Sequence, residues 1–289
     1  MKKVVVKAWP EKTKVVVMVT VVLETWADGF VPVFSPMVMA TPMKPGTLDL
    51  QGESWAAYGG ETGIWRILEI LEKHGVKSSL VTSGKSIELY PQAIRAFDTA
   101  GHEISAHAYT QDQVLPYLTP DEELQLIRRC TNIVADAIGK KPKGWGSPRA
   151  TQTRHTAEFI AGEGYLWHGD YNDTDLPYVV NTGKGDLVAL MHSDFSDIRV
   201  VRGNPKDYFT VHRDMFDFLY STGKPEIINV TLHCLWGGRP LMANMFAQIL
   251  EYFKSFEDVW IARHDEVAEW VLGESIANRS TTAPSNASA

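Results

Sequence analysis

Three ionisable side chains stand where β-patterned runs of the sequence end. Glu24 follows the apolar run 15–23, while His107 and His233 end two further runs that lie far away along the chain. In α/β folds, catalytic groups gather at the carboxyl ends of the strands. Because acid/base hydrolysis uses carboxylates and imidazoles, we predict a hydrolytic site built from these three residues.

The elements that must position these side chains alternate between strand and helix patterns. After Thr62, apolar residues recur at helical spacing, and Thr119 to Glu122 forms a capping box with Pro at the first helical position. Such alternation favours a parallel sheet, and an α/β barrel takes about 250 residues. For a chain of 289 residues we therefore predict one catalytic domain over residues 1–278 and a small, polar, disordered tail over 279–289.

The composition is that of an ordinary globular protein, with 44% hydrophobic and 22% charged residues. The formal net charge is −7, and no cluster of Lys and Arg outweighs it, which argues against a nucleic-acid partner. The longest apolar run is too short to span a bilayer, and the N-terminus lacks a signal-peptide pattern. We expect a cytoplasmic homo-oligomer, a dimer or tetramer, that acts on a small molecule without membrane contact.

The two cysteines, Cys130 and Cys234, are not expected to form a disulfide, because one falls in a helical pattern and the other beside His233. Cys234 leaves two interpretations open, a nucleophile or a small wall residue of the pocket. The second is favoured, since free cysteine usually packs as a small hydrophobe.

The stretch from Trp26 to Gly60 contains four prolines and several glycines and reads as irregular. A loop of this length inside a compact domain usually has a function. Because it leaves directly from Glu24, we predict a lid that closes over the substrate and excludes bulk water.

The motifs around these positions resemble those of the polysaccharide deacetylase superfamily, in particular its branch of metal-independent allantoinases and cyclic imide hydrolases. The resemblance runs from Lys14 to Trp270 and rests on blocks in the family's order: Leu23-Glu24-Thr25-Trp26, Tyr58-Gly59 with Gly63-Ile64-Trp65-Arg66, Gly101-His102-Glu103-Ile104 through His107, Gly144-Trp145-Gly146-Ser147-Pro148-Arg149, Asn172-Asp173-Thr174-Asp175-Leu176-Pro177-Tyr178, and Thr231-Leu232-His233 with Gly238-Arg239-Pro240. It implies an α/β fold, a distorted (β/α) barrel of the polysaccharide deacetylase type with seven strands. It also implies hydrolysis of an amide C–N bond at the carboxyl ends of those strands.

The sequence departs from the metal-binding members of that family at two ligand positions. Thr25 stands where they carry a carboxylate, and Gln111 stands where they carry an imidazole. A hydroxyl and an amide are weak ligands for zinc, so we expect no metal and no other cofactor. The alternative is a loose divalent-metal site, for example for zinc, held by Glu24 and His107 with help from Asp28.

Without a metal, the side chains themselves must activate water. Glu24 is predicted to be the general base, with its pKa raised by desolvation under Trp26 and the lid. His107 would orient the water or polarise the substrate carbonyl, and His233 would donate a proton to the leaving nitrogen. The alternatives are a solvated carboxylate that caps the next turn and two satisfied core histidines, but their joint position at strand ends favours catalysis.

Further side chains are predicted to complete the site and to bind the substrate. Arg149, a fourth catalytic residue, follows a rigid Ser-Pro pair and could form an ion pair with Asp173 or Asp175, although a surface salt bridge is the alternative. Arg239, flanked by glycines, could grip a carboxylate or imide oxygen. The other predicted substrate-binding residues are Asp173, an amide and four aromatic side chains that can wall a planar ring: Gln111, Trp26, Trp55, Tyr109 and Trp236.

Three functions remain open from the sequence. The leading one is hydrolysis of a small cyclic amide, imide or ureide. The alternatives are a deacetylase of N-acetylated sugars or peptidoglycan, and a non-catalytic barrel that only binds a ligand. Allantoin, hydantoins, succinimide-like imides and related lactams all present the same amide, so the sequence does not identify the ring.

Overall fold

The computed structural model describes residues 6–41, 44, 46–191, 195–200 and 204–282. Nine strands run through these ranges: β1 (Val15–Leu23), β2 (Ser79–Thr82), β3 (Glu103–Ala106), β4 (Gly144–Trp145), β5 (Trp167–Tyr171), β6 (Tyr178–Asn181), β7 (Asp186–Met191), β8 (Glu226–His233) and β9 (Val259–Ala262).

Helices surround this sheet. Those of the described ranges are α1 (Pro36–Ala40), α2 (Leu50–Tyr58), α3 (Ile64–His74), α4 (Gly84–Leu89), α5 (Pro91–Thr99), α6 (Pro120–Ile138), α7 (Thr156–Glu163), α8 (Asp197–Val200), α9 (Asp207–Ser221), α10 (Cys234–Gly237), α11 (Pro240–Lys254) and α12 (His264–Thr282). A π-helical turn, Gly59–Gly63, joins α2 to α3. The predicted capping box of α6 is confirmed: the Thr119 hydroxyl accepts the backbone N–H of Glu122, whose carboxylate accepts the backbone N–H of Thr119.

The strands form one curled sheet in the order β6-β7-β5-β4-β3-β2-β1-β8, and β9 also pairs with β1. Their pairings are parallel except that between β6 and β7. Strand β1 is central, because β8 covers one side of it while β9 and β2 share the other. The predicted α/β fold, a distorted barrel of the deacetylase type, is confirmed, but the seven strands that the resemblance implies are wrong, since the sheet of the described residues contains nine.

Side chains of β1 alternate between two cores, as the period of a strand requires. Val15, Val17 and Val19 pack toward the surrounding helices. Val16 and Met18 face the lumen of the barrel, where α12 packs against them. Because Glu24 follows the same alternation, it lies on the lumen side at the carboxyl end of the sheet.

The prediction of an irregular stretch from Trp26 to Gly60 is wrong in its second half. Helix α2 begins after Asp49, whose side chain accepts the backbone N–H of Gly52 at 2.8 Å, and helical structure then continues through the π-turn to His74. Tertiary packing forms this helix although its apolar residues show little helical periodicity.

The predicted domain boundary at residue 278 stays a prediction. Helix α12 continues to Thr282, past the predicted domain end at residue 278, and residues 283–289 of the predicted tail lie outside the described residues. No helix in the described part of the chain is both long enough and apolar enough to cross a membrane.

Candidate active site

The three residues singled out at strand ends meet in space. Glu24 directly follows β1, His107 directly follows β3, and His233 is the last residue of β8. Glu24 Oε1 lies 3.4 Å from His107 Nε2 and 3.9 Å from His233 Nε2. The Glu24 side chain is only 9% exposed, so the carboxylate faces both imidazoles in a place with little access to bulk water.

The predicted upward shift of the Glu24 pKa is wrong in direction. Burial raises the pKa of this carboxyl, but the charge of His233, the hydrogen bond from His107 and the charge of Arg149 outweigh that effect and lower it below 4.5. Glu24 is therefore ionised at neutral pH and able to accept a proton.

His233 is held in one tautomer by a buried aspartate. Its Nδ1 lies 2.7 Å from Asp197 Oδ1, and its backbone N–H donates to Asp197 Oδ2, also at 2.7 Å. Burial lowers the pKa of His233, but Asp197 and Glu24 together raise it above 6.5. With Nδ1–H committed to Asp197, the Nε2–H of the charged ring faces Glu24 and the cavity, where it can serve as an acid.

His107 is oriented by the backbone. Its Nδ1 lies 2.7 Å from the carbonyl oxygen of Gly146, which can only accept, so Nδ1 carries the proton. Nε2 is thereby directed at Glu24. His107 can hold a water molecule against Glu24 without changing its ring orientation.

Arg149 lies on a strained turn beside this cluster. Its φ is +56°, a left-handed conformation that costs a non-glycine residue on the order of 1–3 kcal/mol. The turn is anchored by Asp170, which accepts the backbone N–H of Ser147 at 2.8 Å and pairs with His168 Nε2, also at 2.8 Å. Asp170 is thus the buried anchor of the turn, and the predicted ion pair of Arg149 with Asp173 or Asp175 stays a prediction.

A cavity of about 240 Å³ descends from the strand ends into the barrel. The three catalytic candidates and Arg149 line it, as do Trp26 and Gln111, two of the predicted substrate-binding residues. Pro32 and Phe34 of the covering segment also belong to its wall. The cavity therefore combines a charged mouth with a partly apolar cover.

Trp55, Trp236 and Arg239 lie behind the wall of this cavity. The Trp55 ring packs against Trp236 at 5.6 Å and Phe34 at 5.9 Å between ring centroids. Arg239 donates to the backbone carbonyl oxygens of Trp55 and Leu235, at 3.3 and 3.1 Å. These residues support the covering segment, and their direct contact with a substrate stays a prediction.

Two other predicted binding residues have local partners elsewhere. The Tyr109 hydroxyl donates to Glu88 at 2.8 Å, and the guanidinium of Arg129 lies over the Tyr109 ring. Asp173 accepts a hydrogen bond from the Tyr178 hydroxyl at 3.0 Å. Neither Tyr109 nor Asp173 lines the cavity.

Glycines let two backbone segments touch behind His233. A β-carbon on Gly63 of the π-turn would overlap the carbonyl oxygen of Cys234, and one on Gly238 would overlap Gly63 itself. A β-carbon on Gly59 would come within 3.0 Å of the Leu235 nitrogen. The segment that follows His233 therefore packs directly against the backbone of the π-helical turn.

Cys234 does not have the properties of a nucleophile. It is 1% exposed, and burial raises its pKa well above the ordinary value for a thiol. It packs among the apolar side chains between the sheet and the helices.

The donor set does not fit a divalent metal. The Thr25 hydroxyl is hydrogen-bonded to Ser86, and Asp28 is fully exposed beside Lys85. Gln111 carries an amide, which is a weak ligand for zinc. Across the described ranges, no group of three His, Cys, Asp or Glu side chains is arranged to hold a metal ion.

Asp197 and Asp170 are the main site residues that sequence reasoning missed. Asp197 comes six residues after the β7 pattern, in a stretch with another aspartate, Asp194. Nothing in that spacing tells which carboxylate reaches His233. Asp170 lies in a strand, where the alternation of inward and outward positions was its only signal.

Comparisons with known proteins agree with this arrangement. The model of the polysaccharide deacetylase family matches residues 56–166. A putative polysaccharide deacetylase of Schizosaccharomyces pombe is 27% identical, over 90% of this chain and 91% of its own length.

Two solved structures are similar over nearly their whole length. A probable polysaccharide deacetylase from Pseudomonas aeruginosa has a TM-score of 0.81 at 27% identity and covers 90% of this chain and 92% of its own. PuuE allantoinase has a TM-score of 0.81 at 28% identity and covers 90% and 91%. The resemblance to the polysaccharide deacetylase superfamily and its allantoinase-like branch is confirmed.

Proposed function

We propose that this chain, which carries a polysaccharide deacetylase domain, hydrolyses a C–N bond in a small cyclic amide, imide or ureide without a metal. The observation that carries the proposal is geometric: the buried Glu24 carboxylate lies 3.9 Å from His233 Nε2 at the mouth of a small cavity. The surroundings lower the pKa of Glu24 and raise that of His233. A base and an acid whose pKa values are driven apart are what amide hydrolysis requires.

The size of the cavity favours a small substrate. Its volume of about 240 Å³ lies near the lower end of the range of small-molecule pockets, about 300–1,000 Å³. A ring with one short substituent fits that space, and Trp26 and Phe34 partly cover it. The similarity to PuuE allantoinase supports the same class of substrate.

The proposed reaction moves two protons. Glu24 takes a proton from a water molecule held against His107 Nε2, and the water oxygen bonds to the ring carbonyl carbon. As the C–N bond breaks, His233 Nε2–H gives its proton to the leaving nitrogen. The site is restored when Glu24 releases its proton and His233 takes one up, by exchange with solvent.

Arg149 has a supporting role in this scheme. Its positive charge keeps Glu24 ionised, and its strained turn places it on the cavity wall near the oxyanion that forms. Asp197 supports the acid by stabilising the charged form of His233.

A second candidate is deacetylation of an N-acetylated sugar. The names of the similar proteins from Schizosaccharomyces pombe and Pseudomonas aeruginosa favour it. The same acid and base could cleave an acetamide, with only the acetyl group entering the cavity.

Testing the purified chain against both substrate classes separates these candidates. Allantoin, hydantoin and succinimide form one set and N-acetylglucosamine oligomers the other, with products identified by mass. We expect ring opening, and Glu24→Gln should lower turnover by about 10²- to 10⁴-fold, while the exposed control Glu69→Gln keeps wild-type turnover. Acetate release from the oligomers alone would favour the second candidate, and no turnover of any compound would favour a binding protein.

A further inference from the structure

The cavity continues below the catalytic residues into the barrel. In register, Thr20 on β1 pairs with Thr231 on β8, and Val22 pairs with His233. At about 3.3 Å per residue, the four positions from Glu24 down to Thr20 span about 13 Å. Side chains two positions apart along a strand face the same side, so Thr20, Val22 and Glu24 line the lumen at three successive levels.

The lowest level of the lining is polar. Thr20 and Asn229 both line the cavity and are each 7% exposed, while Val19 and Val21 beside Thr20 are 0% exposed. The exposed part of Thr20 therefore opens into the lumen. Its hydroxyl donates to Asn229 Oδ1 at 2.8 Å and lies 3.1 Å from His264 Nε2.

This pair keeps unused hydrogen-bonding capacity. The Asn229 amide nitrogen has one long bond, 3.5 Å, to the backbone oxygen of Met191, and an amide nitrogen carries two protons. The Thr231 hydroxyl is buried without a hydrogen-bond partner among the described residues and belongs to the same wall. A buried polar group without a partner costs about 1–3 kcal/mol, so this level favours a polar occupant.

An apolar belt on β1 and β2 lies between Glu24 and the polar floor. Val22 lies between Glu24 and Thr20 along β1, in register with His233 on β8; Val22 and Val81 line the cavity, and each is 6% exposed. They are Cα partners on neighbouring strands. The cavity therefore presents, from top to bottom, charged groups, an apolar belt and a polar floor.

The floor is electrically neutral. Burial lowers the pKa of His264 to about 3, so its ring is uncharged at neutral pH. Two carboxylates lie behind the floor, and neither lines the cavity: Glu103 accepts hydrogen bonds from Ser79 and Trp167, and Asp265 is paired with Arg263 and Lys143. A charged group placed on the floor would have no counterion to stabilise it.

From this layering we infer that Thr20 and Asn229 form a specificity subsite for a neutral hydrogen-bonding arm of the substrate, joined to the ring by a short apolar link. The inference rests on the proposed function, since it takes the ring to lie at Glu24 and His233. It defines the substrate class as a cyclic amide with an amide-, urea- or hydroxyl-ended side arm.

Two hydantoins that differ only at the end of the arm test this inference. One carries a carbamoylethyl arm and the other an isopentyl arm, which have the same number of heavy atoms. The quantity measured is the ratio of their kcat/KM values. We expect the wild type to prefer the polar arm, and Thr20→Val and Asn229→Leu each to reduce that ratio about 2- to 13-fold, the equivalent of one net hydrogen bond.

Two further variants test whether the ratio of kcat/KM values changes merely because a buried hydroxyl is lost. Thr20→Ser keeps the hydroxyl and should retain the preference. Thr131→Val removes a buried hydroxyl that bonds to Tyr165 and the Ile127 backbone, outside the cavity, and should leave the ratio at the wild-type value. Thermal unfolding of each variant confirms that the measured protein is folded.

The possible failures are distinguishable. The subsite inference is overturned if the ratio of kcat/KM values is the same in wild type and Thr20→Val, or if the wild type prefers the isopentyl arm. Either result is expected if the floor of the cavity holds only water. Turnover of succinimide or allantoin without turnover of either armed hydantoin overturns it as well, while the proposed function stands. If no ring of any kind is opened, the proposed function fails and the inference falls with it.

Discussion

Replacing Asp197 by Asn would remove a negative charge from beside His233 while keeping the shape of the side chain. Asp197 is 0% exposed and accepts from both the ring Nδ1–H and the backbone N–H of His233. Hydrogen bonds to charged groups contribute about 1.5–3 kcal/mol. If that stabilisation is lost from the charged acid, kcat/KM at neutral pH should fall about 10- to 150-fold.

The pH dependence gives the sharper test. In the wild type, activity should appear as Glu24 loses its proton below pH 4.5 and decline as His233 loses its proton above pH 6.5, since the pKa of Glu24 is lowered and that of His233 is raised. Asp197→Asn should move the alkaline limb toward lower pH and leave the acidic limb in place. The exposed control Asp214→Asn should change neither limb.

The assay is the initial rate of ring opening across the pH range, on the ring that the wild type hydrolyses fastest. Thermal unfolding of Asp197→Asn establishes that the fold survives. An unchanged alkaline limb in a folded variant would refute the assignment of His233 as the acid supported by Asp197.

Two further predictions concern the metal and the covering segment. Elemental analysis should find well under one metal ion per chain, and a chelator should leave turnover largely intact, because Thr25 and Gln111 are poor ligands; stoichiometric zinc would contradict this. Trp55→Ala should destabilise the protein by about 3–5 kcal/mol and raise KM more than tenfold by displacing Phe34, whereas Trp65→Ala, at a 37% exposed site, should do neither. Urea unfolding and steady-state kinetics measure both effects, and an unchanged KM would remove Trp55 from substrate binding.

The sequence was informative where local pattern and tertiary structure agree. The apolar run of β1 is buried throughout, so a carboxylate that follows it directly had to stand at a strand end. The same reasoning placed His107 and His233, because parallel strands bring their carboxyl ends to one edge of the sheet. The capping box of α6 was also readable, since both partners lie within four residues.

The electrostatics of the site were not readable in this way. Burial of Glu24 could be inferred from its neighbours in sequence, and that alone gave the wrong direction for its pKa. The opposing contributions come from His107, His233 and Arg149, whose distances from Glu24 exist only after folding. Asp197 was missed for the same reason, because its partner His233 ends a strand that lies far away along the chain.

The contact between Gly63 and Gly238 has a consequence for redesign. Because backbone meets backbone there, a β-carbon on either glycine would displace the segment that follows His233. Diversification aimed at new substrates therefore belongs at Pro32 to Phe34 and on the cavity floor, where side chains face open space. In such a library, the residues of the π-turn and of the segment after β8 should stay unchanged while other residues of the pocket are substituted.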